Sequence, residues 1–140
     1  MLLVVDANIL IAALLKKSTT RAIMIKTNIQ LIAPEFILEE IEKHADELTE
    51  KTNVDKTTLH EILIDLLYET EIKIYPKQEL EKYLEKAGNI SPDRNDAMYF
   101  ALALKENTAI WSNDTELKTQ STVKVYSTMD IIQKLNFNIH

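Results

Sequence analysis

Four acidic residues stand where a carboxylate could do more than carry surface charge. Asp6 closes the apolar run LLVV, Glu40 lies within PEFILEEIEKH, Asp96 opens the apolar segment AMYFALAL, and Asp114 follows AIWSN. Carboxylates that converge in a sheltered place repel unless something positive sits among them, and a divalent metal ion is the usual something.

Each acid also has an ordinary explanation. Asp6 and Asp114 precede helical patterns, where an aspartate caps the free amides of a first turn, and taken singly capping explains either one. Asp93 falls in the first turn after Ser91-Pro92, where the helix dipole favours a carboxylate by about 0.3–1 kcal/mol. Asp96 lies one turn further on, at the head of a segment so apolar that its helix must be buried. A charge there needs a partner or a metal, so Asp96 is the functional candidate and Asp93 an auxiliary one. Glu39 and Glu40 separate by helix geometry. At roughly 100° per residue, Ile37, Ile41, Ala45 and Leu48 form one apolar stripe. Glu40 lies at its margin and can lean into a crevice, whereas Glu39 points to solvent. His44 falls on the stripe itself, as a core or supporting histidine able to hydrogen-bond a site carboxylate. Asn8 and Asn113 flank two of the aspartates and either orient a carboxylate or bond their own loops. Trp111 and Tyr99 read as core aromatics.

The elements that must position these residues alternate. Leu2–Val5, Gln30–Ala33, Ile72–Tyr75, Ala109–Ser112 and Val123–Tyr126 are expected strands, with helices near 8–15, 19–27, 35–50, 56–69, 78–87, 93–106 and 128–135. The polar stretch Ala45–Lys56 is a loop or a helix break. Such alternation implies an α/β domain, one over residues 1–140, with a parallel sheet and right-handed crossovers. Ligands of such sheets bind beyond the carboxyl ends of strands where the strand order reverses. If the first and fourth strands are neighbours, Asp6 and Asp114 reach one crevice.

Composition removes other chemistries. The absence of cysteine excludes disulfides, thiolate zinc sites and a cysteine nucleophile. The single glycine, Gly88, rules out a glycine-rich phosphate loop. No apolar run approaches the roughly 20 residues of a membrane span, and MLLVVD lacks a signal peptide's basic start, so a cytoplasmic location is expected. The net charge of −6 argues against a broadly basic nucleic-acid surface. A cluster of site carboxylates inflates that count, however, and bound divalent ions would return positive charge where a phosphate sits.

With these residues in order, the chain resembles the PIN domain family of metal-dependent nucleases. The resemblance runs over nearly the whole chain, through LLVVDANILI, PEFILEEIEKH, DRNDAMYFALAL and WSNDTEL. It implies an α/β/α sandwich with a five-stranded parallel sheet of order 3-2-1-4-5. It also implies Mg²⁺ or Mn²⁺ held by Asp6, Glu40, Asp96 and Asp114, and hydrolysis of RNA phosphodiester bonds. Ser112 matches a position where the family commonly has a hydroxyl near the site. Glu116 stands where an aspartate is often found. Homodimers are common among relatives, and many are toxins held by an antitoxin protein. Apart from the resemblance, Arg94, Arg21, Lys16 and Lys17 are the cations expected nearest the mouth of the site, either simply solvated at helix ends or in contact with RNA.

Other acidic α/β sites lack their residues here. A haloacid-dehalogenase-like phosphatase needs an aspartate where Asn8 stands, and a response-regulator receiver needs one at the end of the third strand, where IYPK offers none. The remaining alternative is a catalytically silent PIN-like module that binds RNA or a protein.

Overall fold

A computed structural model describes residues 1–15 and 18–136. Five strands form its sheet: β1 (Leu2–Val5), β2 (Gln30–Pro34), β3 (Lys73–Tyr75), β4 (Ala109–Trp111) and β5 (Val125–Tyr126). All pair in parallel, in the order β3-β2-β1-β4-β5, which is the expected topology. β1 is a continuous apolar run because it is the central strand. Successive side chains face opposite sides of a sheet, and Leu3, Val4 and Val5 are all fully buried. Both faces of the sheet are therefore covered by helices, as in other parallel sheets.

The helix following β1 is α1 (Ala7–Leu14), and α2 (Thr19–Lys26) packs against it. After β2 come α3 (Phe36–Lys43), α4 (Ala45–Thr52) and α5 (Lys56–Thr70). Between β3 and β4 lie α6 (Leu84–Ile90) and α7 (Ala97–Glu106), and α8 (Thr128–Leu135) follows β5. α7 crosses β1, β2 and β4 and is covered by α6, so the consecutive residues Tyr99, Phe100, Ala101, Leu102 and Ala103 are all buried. That is why AMYFALAL lacks a polar face. α8 is anchored by a Ser127/Asp130 capping box and by the Trp111 indole, which donates to Thr128 Oγ1 at 3.1 Å. Among the described residues no helix is long and apolar enough to cross a membrane.

Several expected boundaries move. The helix expected over 35–50 is two helices that meet at His44, whose backbone (φ −100°, ψ 6°) leaves helical geometry. The polar stretch from Ala45 is thus mostly α4, closed by Asn53 in the left-handed region (φ 56°). The segment expected as helix over 78–87 begins as two 3₁₀ turns, Lys77–Glu79 and Glu81–Tyr83, before α6. β5 starts at Val125 rather than Val123, because Gln120 takes the Val123 N–H and carbonyl through its side-chain amide, at 2.8 and 2.7 Å. Pairing with a side chain removes Val123 from the ladder.

Candidate metal centre

The register of β1 and β4 sets the site. Val5 pairs with Trp111, and the Asp6 N–H donates to the Trp111 carbonyl at 3.4 Å, so both strands run out at the same level. Asp6 then caps α1, accepting the Ile9 N–H on Oδ1 at 3.0 Å. It is also only 6% exposed, and burial pushes its carboxyl up to about 6. The Ser112 hydroxyl and the Ile9 amide hold it back by hydrogen bonding, while the charges of Glu40 and Asp114 push it higher. Capping and convergence with other acids coexist at this residue.

Asp114 is fixed in a comparable way. Its Oδ1 accepts the Glu116 N–H at 3.0 Å, and its own N–H donates to Ser112 Oγ at 3.1 Å. Ser112, 1% exposed, thereby ties the two strand ends together. Glu116 is exposed and contributes its backbone N–H to that cap.

Asp96 differs from both. It stands at the N-cap position of α7, yet its side chain makes no capping hydrogen bond. Asp93 instead caps the short 3₁₀ turn before it, accepting the Asn95 N–H at 2.9 Å. The Asp96 carboxyl is half-buried and raised to about 6, first by desolvation, then by the charges of Asp93, Asp6, Glu40 and Asp114. Capping does not account for this aspartate.

Glu40 enters from α3, while Glu39 is exposed. The Tyr99 hydroxyl donates to Glu40 Oε1, and the Tyr99 ring packs at 6.2 Å from that of Phe36 on the same α3. Burial, the hydrogen bond to Glu40 and the nearby acids all drive the Tyr99 phenol well above its ordinary range, so it stays a donor. The carboxylates of two helices and two strand ends thus lie within electrostatic reach of one another.

The remaining candidates fall elsewhere. His44 is exposed and faces Glu47 at 3.5 Å. The break between α3 and α4 turns it off the stripe, while Ile37, Ile41, Ala45 and Leu48 are buried as expected. Asn113 neither orients a carboxylate nor bonds its own loop. Its Oδ1 accepts the Thr128 N–H at 2.8 Å and so ties the β4 end to α8. Asn8 is exposed and makes no side-chain hydrogen bond among the described residues. Arg94 is exposed on the turn between Asp93 and Asp96. Arg21 lines a groove with Leu14, Lys51, Asp65 and Glu69, away from the acids. Lys16 and Lys17 lie outside the described residues.

A family model described as PIN domain matches residues 4–136. The chain belongs to the PIN domain family. Two solved structures share the fold. VapBC2 from Rickettsia felis, bound to a DNA fragment from their promoter, superposes at a TM-score of 0.63 with 17% identity, covering 91% of this chain and 98% of that one. PAE2754 from Pyrobaculum aerophilum gives 0.64 with 16% identity, covering 95% and 88%. A comparison with curated proteins finds no match.

PIN domains are generally nucleases and generally use divalent metal ions. The donor set of this one fits such an ion in kind, being all carboxylate oxygen as Mg²⁺ and Mn²⁺ prefer. Its spacing is looser. Among the described residues no three acidic, histidine or cysteine groups are close enough together to hold an ion as they stand. A water-rich ion touching one or two carboxylates suits this spacing better than an all-protein cage. One residue of this PIN domain escapes a sequence reading: the Tyr99 ring is core, but its hydroxyl belongs to the acidic crevice. The available signal was a tyrosine, rather than a phenylalanine, in a helix otherwise without polar groups, since a buried hydroxyl needs a partner.

Proposed function

We propose that this PIN domain is an endoribonuclease that hydrolyses RNA phosphodiester bonds with Mg²⁺ or Mn²⁺. The observation that carries the reading is Asp96, a half-buried carboxylate with no capping bond, raised by its burial and then by the charges of Asp93 and of three other acids across the crevice. A carboxyl placed so is held against a cost in stability, which is the mark of a functional group. Asp6, Asp96 and Asp114 would hold the ion between them, one or two directly and the rest through its waters. When bound, such an ion supplies Lewis acidity toward a phosphodiester and lowers the pKa of water. Asp6 and Asp114 are kept in place by the Ile9 and Glu116 amides, which fixes two of the carboxylates at the strand ends. Glu40, held by Tyr99, faces the same crevice and would ligate or take a proton from the attacking water.

The likeness to VapBC2 supports a toxin restrained by an antitoxin, acting in the cytoplasm, and the family's habit supports a homodimer. The looseness of the acidic cluster favours a second reading, a silent PIN module that binds RNA or protein without cutting. Incubating the purified chain with single-stranded RNA and Mg²⁺, Mn²⁺ or EDTA separates them. Cleavage that stops in EDTA and in Asp96→Asn is expected. Intact RNA, with no rise in melting temperature at millimolar Mn²⁺, would favour the silent module.

A further inference from the structure

A cleft of about 650 Å³ opens at the amino ends of β1 and β4, and its charged lining consists of Lys86, Lys124 and Lys134 with no acid among them. In a chain of net charge −6 this is a reversal of local sign. The three lysines come from α6, from the segment before β5 and from α8. They are also free of acidic partners: the ion pairs among the described residues use Lys51, Lys56 and Lys118 instead. The groove lined by Arg21, Lys51, Asp65 and Glu69 mixes both signs, and the one acid in the groove next to the cleft, Asp130, is paired with Lys118.

We propose that this cleft is a binding site for phosphate-bearing ligands. An ammonium group is a compact point charge with three donors and binds phosphate without a fixed geometry. Three of them around one space supply both charge and donors. Asn107 and Thr122 add neutral polar groups to the wall. Lys124 and Lys134 lie 5.9 and 5.5 Å from the centre of the Tyr126 ring. That ring borders the cleft and gathers both ammonium groups beside it by cation–π attraction. β1 has four residues, which at about 3.3 Å each separates the cleft from the acidic crevice by on the order of 13 Å. A mononucleotide cannot reach both ends, whereas an RNA strand can. The proposal goes beyond the nuclease reading and stands without it.

The same chemistry comes from a free nucleotide or from an RNA backbone, and one experiment distinguishes the two. Fluorescence anisotropy of a labelled single-stranded oligoribonucleotide is measured in EDTA, so that no cutting occurs, with AMP and inorganic phosphate as competitors. The triple variant Lys86→Gln, Lys124→Gln, Lys134→Gln is run beside the wild type, and its melting temperature confirms that it folds. Binding at least tenfold weaker in the variant is expected, with a salt slope shallower by about 2 if three single-strand phosphate contacts are lost. Competition by AMP at concentrations near those of the oligonucleotide identifies a nucleotide site; its absence identifies the RNA backbone. Equal binding by the folded variant and the wild type, or no binding by the wild type, overturns the proposal. A wild type that binds in EDTA but never cuts in Mg²⁺ leaves the cleft standing and removes the nuclease reading.

Discussion

The two ends of the same central strands carry opposite chemistry and hold it by opposite means. At the carboxyl ends of β1 and β4, Asp6 and Ser112 are buried and Asp114 is held by the Glu116 amide and, through its own N–H, by the Ser112 hydroxyl. At the amino ends, Lys86, Lys124 and Lys134 stand exposed around an open cleft. Charge that is buried and fixed is pre-organised, but folding must strip its water, so it subtracts from stability. Charge on long exposed side chains costs little to fold and acts through an electrostatic field that salt weakens. The acidic end is therefore built for geometry and the basic end for attraction.

The sharpest break of this contrast is Asp6→Asn, which keeps a capping oxygen and removes the charge. Mg²⁺-dependent RNA cleavage should fall at least a hundredfold, on the scale of several kcal/mol that a metal contributes to a transition state. Cleavage rates with a circular dichroism control check it, and retained activity would remove Asp6 from the site.

The same variant should be more stable than the wild type at neutral pH in EDTA. The Asp6 carboxyl is raised from 3.8 to about 6 in the fold, so ionising it there costs up to about 3 kcal/mol. Protonation of the folded state relieves that cost. The stability it contributes is fully present below 3.8 and is lost as pH rises through about 6. Urea melts should therefore show the advantage of Asp6→Asn at pH 7, shrinking toward pH 4. An advantage independent of pH would mean that desolvated charge is not the cause.

Tyr99→Phe tests how firmly the acidic end is held. The ring and its packing on Phe36 remain, while the hydrogen bond to Glu40 is lost. A stability loss of about 1 kcal/mol is expected, together with a severalfold fall in cleavage and a weaker melting-temperature response to Mn²⁺. An unchanged Mn²⁺ response with the same stability loss would confine Tyr99 to the core. At the basic end Lys86→Gln should shift stability by less than about 0.5 kcal/mol. A large loss on urea unfolding would show that this lysine is structural and would undo the contrast.

Much of the acidic end is legible in the chain. The preference for Glu40 over Glu39 follows from helix periodicity, and Asp96 over Asp93 from the apolar run behind it. The same periodicity misplaces His44, because it assumes one continuous helix and the chain leaves helical geometry at that residue. Asn113 departs from the local expectation for a different reason: its hydrogen bond goes to α8, fifteen residues away, and local pattern carries no such partner. The basic cleft leaves no motif at all, since Lys86, Lys124 and Lys134 are scattered and each alone looks like a solvated lysine.

By itself the sequence determined the alternation of strands and helices, the buried central strand and the identity of the candidate acids. These depend on hydrophobic period and capping preference, which act over a few residues. The tertiary structure alone decided that Tyr99 reaches Glu40, that Ser112 joins two strand ends and that three distant lysines share a cleft. Those relations depend on the register of β1 with β4 and on where α7 crosses the sheet, and no local pattern encodes a distance between elements that meet only on folding.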